Sequence, residues 1–414
     1  MNTDANPPVN SDVNGPEPPR DEIDLAEWLG PAEASALDPA DQADLEVAVE
    51  AALAGGREVM RRYEPGESMA VTEKSPGNPV TEADRASDRA ITGVLEARRP
   101  GEPVLSEEGS RPEGLERAGG GAGEGASGHL WVVDPLDGTK EFLAGNGEFA
   151  VMVGLAVEGR ARLGVVYRPD PGVLYLGTSA GGAWRAELLP AARRRQRRER
   201  ESAGGDEGDE GEREVPPAVD ERMRSTLERG ESRPGRGTDR PAARRGEGAD
   251  AEDPASGEDA GEGDEDTARE GPEVTSLADF GPPTGFSVDA PREGPIRVLH
   301  SRSHTPEGLD RLRDALGEVE LLPHGSAGLK GARVASDRGD LYVHPVPYMM
   351  EWDTCAPEAV LRGAGARVGD CRGEELRYGK PDPSQPHGLF AARPEVWDRV
   401  ADVVRELAPR GEGD

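Results

Sequence analysis

One run constrains this chain more than any other: Trp131-Val132-Val133-Asp134-Pro135-Leu136-Asp137-Gly138-Thr139-Lys140-Glu141-Phe142. Its first residues are aromatic and β-branched, which reads as a buried strand. Asp134 to Gly138 then carries turn chemistry, because proline presets φ and glycine permits a left-handed bend. Thr139 follows where a helix should begin. The strand therefore delivers two carboxylates, a glycine and a threonine to one sheet edge. That arrangement suits a divalent cation and a phosphate group together.

The rest of the chain is sparse in core material. Apolar residues are 34% of 414 and aromatics only 4%. They concentrate in about 40–187 and about 293–408, roughly 270 residues, enough for one α/β catalytic unit. Four segments are expected. Residues 1–38 read as a disordered acidic tail, with room for one short helix around 23–29. Residues 39–187 read as an N-terminal α+β half and 293–414 as a C-terminal α/β half. Between them, 188–292 is rich in Arg, Glu, Asp, Gly and Pro and reads as a disordered charged insertion, since it cannot bury enough surface to offset chain entropy. Its basic run from Arg193 to Arg200 suits a solvated linker. A contact with RNA or an acidic partner is the other reading, and no partner of the insertion is identified.

Within the halves, Asp38-Pro39 opens a helix reaching about Tyr63, and a second helix is expected over 82–98. Strands are expected near 103–106, 130–134, 149–157, 162–168 and 173–177, with a mobile Gly-rich loop over 111–128. In the second half the pattern predicts strands at 295–299, 319–323 and 340–344, with helices at 306–317, 327–336, 351–364 and 394–407.

The formal charge of −33 argues against a general nucleic-acid-binding face. It suits a surface adapted to a high-salt cytoplasm, where at molar salt the Debye length falls to about 3 Å. Acidic disordered segments that inflate the number are the alternative. The basic residues are nearly all arginine: the lysines are Lys74, Lys140, Lys330 and Lys380. All four fall in motif-like segments, as expected where a compact ammonium is needed. Cys355 and Cys371 make no disulfide framework. Neither a signal-like N-terminus nor an apolar run of roughly 18 residues is present. A cytoplasmic protein without a membrane partner is expected.

Several pieces of chemistry recur beside the opening motif. Asp134 and Asp137 offer hard oxygen ligands of the kind magnesium prefers, Glu107 and Glu108 end another strand, and Asp353 opens a later helix. Gly138 and Thr139 present backbone N–H groups at a helix start, and the Thr139 hydroxyl could orient a water if Asp84 accepts its proton. Each piece alone has an ordinary reading as a turn, a solvated pair or a helix cap.

Together, and in this order, Pro79-Val80-Thr81-Glu82-Ala83-Asp84, Glu107-Glu108, Asp134 to Thr139 and Trp352-Asp353 resemble the inositol monophosphatase superfamily, which comprises magnesium-dependent, lithium-sensitive sugar and nucleotide phosphatases. Gly138-Thr139-Lys140-Glu141-Phe142 with Asn146-Gly147-Glu148-Phe149 is similar to its 3′(2′),5′-bisphosphate nucleotidase (CysQ-type) branch. Inositol monophosphatases usually carry Asn-Phe in place of Glu141-Phe142. Ser301-Arg302-Ser303-His304 and Trp352 to Glu358 also resemble that branch.

The resemblance implies a layered α/β/α/β/α sandwich and a role in sulfur metabolism. The implied reaction is hydrolysis of the 3′-phosphate of adenosine 3′,5′-bisphosphate, or of its sulfated form. An inositol monophosphatase or fructose-1,6-bisphosphatase-like sugar phosphatase is the alternative. About two or three Mg²⁺ ions per site are implied, held by Glu107, Asp134, the Leu136 carbonyl, Asp137 and Asp353. Asp84 and Thr139 would activate water. Gly138 and Thr139 would hold the scissile phosphate, Lys140 would be a further substrate-binding residue, and Ser301, His304, Ser326 and Lys330 would face the nucleotide and its second phosphate. Glu108 and Lys74 are secondary candidates. The family's Gly-Ser-x-Leu-Lys segment is one residue longer here, Gly325 to Lys330.

Overall fold

The computed structural model describes residues 24–63, 72–75, 78–109, 112, 128–191, 193–194, 274–288, 290–302 and 309–409. They belong to one compact unit built from 1–196 and 270–414, while residues 197–269, a second unit, lie outside the described residues. So do most of the acidic tail, most of the charged insertion and nearly all of the Gly-rich loop.

In chain order the first half holds helices α1 (Leu25–Leu29), α2 (Pro31–Ala36) and α3 (Pro39–Met60), and strands β1 (Thr72–Ser75) and β2 (Asn78–Val80). Next come α4 (Glu82–Arg98), β3 (Val104–Ser106), β4 (His129–Asp137) and α5 (Thr139–Leu143). Strands β5 (Ala150–Val157), β6 (Arg160–Arg168), β7 (Val173–Thr178), β8 (Gly182–Glu187) and β9 (Thr284–Gly285) follow. The second half holds β10 (Ile296–Ser301), α6 (Leu309–Leu316), β11 (Val319–His324), α7 (Ala327–Ala335), β12 (Leu341–His344), β13 (Met349–Met350) and α8 (Glu351–Gly363). It ends with β14 (Arg367–Gly369), β15 (Ser384–Gln385), β16 (Leu389–Ala392) and α9 (Pro394–Leu407).

Among the described residues, β3 to β9 form a seven-stranded sheet in sequence order, parallel only between β3 and β4. A five-stranded sheet runs β11-β10-β12-β16-β14. Helices α3 and α4 cover the outer face of the large sheet, α7 and α8 lie between the two sheets, and α6 and α9 cover the far face of the small one. This is the layered α/β/α/β/α sandwich. Strand β4 shows why its sequence is apolar on both faces: Trp131 and Val133 enter the core under α3, and Leu130 and Val132 enter the core between the sheets. A strand covered on both sides cannot alternate with polar residues.

Glycines set the position of α8. Gly154, Gly164 and Gly177 pair across β5, β6 and β7. A Cβ on Gly164 would lie 2.3 Å from the Ala356 carbonyl oxygen, and one on Gly177 would lie 2.9 Å from Val360 Cα. The row is a side-chain-free groove in which the helix backbone rests directly on the sheet. That contact brings the first turn of α8, with Asp353, towards the β4 edge.

The folded unit extends beyond the expected boundaries. In the segment assigned above to the disordered tail, the short helix expected around 23–29 is α1, α2 follows it, and Leu25, Leu29 and Leu37 are buried in the core beneath α3 instead of lying in a disordered chain. The ends of the insertion fold as well. Val274, Leu277 and Phe280 join that core, β9 pairs with β8, and Leu188 bridges to Phe280. Composition averaged over a window hides such segments, because a few leucines and one phenylalanine can anchor a stretch whose other residues are polar. In the second half, β14, β16 and the β13–β15 ribbon also escape the sequence pattern, being too short to show a period. Among the described residues no helix is long and apolar enough to cross a membrane.

Gly164→Ala should lower unfolding stability by about 1–3 kcal/mol in denaturant melts, because backbone must shift to admit the methyl. Gly93→Ala, mid-helix with nothing within 4 Å of the added carbon, should instead gain about 0.5–1 kcal/mol.

Candidate active site

Strand β4 ends in a bulge. Asp134 pairs with Met152 but Asp137 pairs with Ala150, so one extra residue is accommodated on β4. Pro135 has no N–H to lose there, and its carbonyl accepts the Ser87 hydroxyl of α4 at 2.8 Å. The Leu136 N–H is bonded by Asp134 Oδ1 at 3.0 Å. Gly138 then takes φ +91°, and a Cβ there would meet the Glu148 carbonyl at 3.0 Å. The motif is therefore folded by its own residues into a projecting corner.

Helix α4 supplies the partner group. Its N-cap Thr81 and Asp84 form a reciprocal capping box. Asp84 Oδ2 accepts the Thr81 N–H at 2.8 Å, which leaves Oδ1 to accept the Thr139 hydroxyl at 3.1 Å. That hydroxyl also lies 3.2 Å from the Leu136 carbonyl, so one proton is shared between two acceptors. Asp84 is buried and fixed, whereas Thr139 is partly exposed.

The acidic groups approach from three elements. Glu107 follows β3, with its N–H on the Val133 carbonyl at 3.2 Å. Asp353 caps the start of α8, accepting the Met350 N–H at 2.7 Å. Asp137 is bound by the N-terminus of α7, accepting Gly328 N–H at 2.7 Å, Ala327 N–H at 3.0 Å and the Ser326 hydroxyl. Burial, then the charges of Glu107, Asp137 and Asp353, push the Asp134 carboxyl well above the usual range. Burial, then Asp137 and Glu107, push Asp353 up to about 8, against the opposing Met350 N–H and Lys330.

These groups repel one another, and hard carboxylate oxygens beside the Leu136 carbonyl fit Mg²⁺ in donor type and in the charge they lack. Among the described residues, however, no three His, Cys, Asp or Glu side chains stand together as a ready-made metal cluster. The fit is thus one of charge and donor chemistry, with the carboxylates of Asp134, Asp137 and Asp353 each tethered by backbone N–H groups.

Other expected contacts are placed differently. Lys330 is buried, and its ammonium donates to the carbonyls of Ser326 at 2.7 Å and of His324 and Gly325 at 3.3 Å, while lying 5.3 Å from the Tyr342 ring centre. Burial lowers its pKa to about 8. Ser326 is spent on Asp137 and on the Leu329 N–H. Both residues are thus engaged with the 324–326 turn and its neighbours. Ser301 ends β10 half-buried, Lys140 is exposed on α5, and Glu108 is partly buried beside Glu107. Lys74 lies in β1, and His304 lies outside the described residues.

Two residues that received no role join this region. Glu148 accepts the Gly325 N–H at 2.7 Å and forms a two-pronged ion pair with Arg302. Burial raises its pKa, but Arg302, His324 and the Gly325 N–H together hold it below the usual range. Glu141 is buried with Gly325 packed against its stem, and burial raises its pKa. Both stand in quoted motifs, but neither has a local pattern that distinguishes it from a surface carboxylate.

Comparison with known proteins gives a consistent picture. The model of the inositol monophosphatase family matches residues 41–233 and 290–407. An inositol-1-monophosphatase of Mesorhizobium japonicum is 38% identical over 140 residues, 34% of this chain and 49% of that protein. In such segments the chain spans about half the length of the curated relatives it matches. The 3′(2′),5′-bisphosphate nucleotidase CysQ of Salmonella typhimurium is 27% identical over 334 residues, covering 81% of this chain and 93% of its own. The crystal structure of CysQ from Bacteroides thetaiotaomicron superposes with a TM-score of 0.52 at 28% identity, over 85% of this chain and 97% of that one.

The acidic cluster should give the metal-free protein a characteristic pH dependence. Asp353 stays protonated in the folded state up to about pH 8, but ionises near pH 4 when unfolded. The folded state therefore binds the extra proton, and stability falls as pH rises through that window. Thermal melts without divalent cation should decline from about pH 5 to 8. The decline should be shallower in Asp353→Asn, and Mg²⁺ should offset it. An equal slope in the variant would contradict the assignment.

Proposed function

The chain belongs to the inositol monophosphatase family, and from that premise we propose that it is a Mg²⁺-dependent phosphoric monoester hydrolase. Its substrate in this reading is adenosine 3′,5′-bisphosphate, with the sulfated form as a second substrate, and its products are AMP and orthophosphate. One observation supports this reading most: the Thr139 hydroxyl sits 3.1 Å from a buried, capped Asp84 at the corner where Asp134 and Asp137 project. The Thr139-Lys140-Glu141-Phe142 segment and the extended likeness to CysQ proteins favour the nucleotide over a sugar phosphate.

Mg²⁺ held by Glu107, Asp134, the Leu136 carbonyl, Asp137 and Asp353 would supply charge neutralisation and a more acidic water. The remaining work falls to the chain. Thr139 orients the attacking water through its hydroxyl, and Asp84 Oδ1 accepts the hydroxyl proton, giving general-base assistance. The N–H groups of Gly138 and Thr139 face the phosphoryl oxygens. The new bond joins the water oxygen to phosphorus, the P–O3′ bond breaks, and the departing 3′-oxygen takes a proton from solvent to become the AMP hydroxyl. Because Asp84 is fixed by Thr81, the base needs no reorganisation when substrate arrives.

The likeness to an inositol-1-monophosphatase supports a second reading with the same chemistry on an inositol or sugar phosphate. A phosphate-release panel with Mg²⁺ separates the two. Adenosine 3′,5′-bisphosphate should turn over fastest, and faster release from inositol 1-phosphate or fructose 1,6-bisphosphate would reject the nucleotide reading. Asp134→Asn should retain less than about a tenth of the wild-type kcat, the loss expected when an effect of several kcal/mol is removed. Its metal-free melting temperature should not fall, since the change relieves repulsion. Thr139→Ala should lower kcat about 100-fold with little change in KM.

A further inference from the structure

Lys330, one of the residues expected at the nucleotide's second phosphate, donates to three carbonyls of its own turn, and a second cationic side chain, Arg302, stands beside that turn. We infer that Arg302 recognises the non-reacting 5′-phosphate of the nucleotide, with Glu148 as the positioning residue that holds its guanidinium; this rests on the nucleotide reading above.

Arg302 follows the last residue of β10 and stands beside the 324–326 turn. Its Nε donates to Glu148 Oε2 at 3.1 Å, and Nη2 donates to Glu148 Oε1 at 2.5 Å and to the Pro323 carbonyl at 3.3 Å. A guanidinium has five N–H groups in a fixed plane. The two on Nη1 have no hydrogen bond among the described residues, and the side chain is 44% exposed against 16% for Glu148. One edge of the group is therefore clamped, while the side chain as a whole stays partly exposed.

Such an arrangement suits phosphate. Arginine presents paired donors matched to oxyanion geometry, and a side chain already immobilised loses little further freedom on binding. Glu148 does not cancel the site, because its charge is shared among Arg302 and the Gly325 N–H. The same turn carries Ser326, whose hydroxyl is on Asp137. Arg302 and the carboxylate corner are thus joined through Glu148, Gly325 and Ser326, so both ends of one nucleotide would be read by parts of a single hydrogen-bonded unit. Lys140 offers no comparable alternative, since it is exposed on α5 with no orienting contact among the described residues.

Calorimetric titration of the full-length, metal-free protein with AMP and with adenosine tests this without turnover. Wild type should bind AMP at least about tenfold more tightly than adenosine, the size expected for charge-assisted hydrogen bonds. Arg302→Met should bind both alike, with unchanged affinity for adenosine. Glu148→Gln, which keeps the shape of the clamp but not its charge, should fall between. Steady-state assays should show Arg302→Met raising KM for adenosine 3′,5′-bisphosphate about tenfold, with kcat and the KM for adenosine 3′-monophosphate nearly unchanged. The inference is overturned if wild type does not separate AMP from adenosine, if Arg302→Met keeps the discrimination, or if it loses adenosine equally. A wild type that fails to hydrolyse the bisphosphate yet shows Arg302-dependent AMP binding would reject the proposed reaction and leave this inference standing.

Discussion

Like charges held close together in a poorly solvated corner are the constraint around which this structure is arranged. Asp134 is buried, and Glu107, Asp137 and Asp353 each raise its pKa. Gathering them costs stability, and the fold meets that cost with rigid local anchoring. The β4 bulge ties Asp134 to the Leu136 N–H, α7 binds Asp137 with two backbone N–H groups, and α8 ties Asp353 through its own cap. Each anchor is a helix terminus or a bulge, where backbone donors are unspent by regular pairing.

The packing of the middle layer follows from the same need. Asp353 reaches the corner because α8 lies directly on the glycine row of the large sheet. Asp137 is bound because α7 begins beside Met152, where Gly328 allows close approach. The helices between the sheets are therefore both core and scaffold for the acidic groups. Replacing one small residue there changes the position of a carboxylate, not only the density of a core.

Much of this was legible in the sequence. The strand and bend from Trp131 to Gly138, the helix after Thr81 and the helix opening at Glu351 follow from local pattern, and the layered sandwich was implied by the family resemblance of the motifs. The contact between Asp84 and Thr139 matches the expected pairing of a hydroxyl with a carboxylate acceptor, although the two residues are 55 positions apart. The tail and insertion boundaries were not legible. Leu25, Leu29, Val274 and Phe280 are isolated apolar residues in polar surroundings, and only a shared core under α3 makes them structural.

The sequence by itself determined most of the longer elements and the acidic groups they carry, because hydrophobic period, turn residues and caps act between near neighbours along the chain. Only the tertiary structure decided how polar side chains are spent. Lys330, in a motif that suggested a ligand contact, is consumed by three carbonyls of its own turn. Arg302 is held in place because Glu148, 154 positions away in the chain, clamps one edge of its guanidinium. A donor's availability depends on which acceptors packing brings within about 3 Å, and that is settled by contacts between distant segments, not by the residue or its neighbours in sequence.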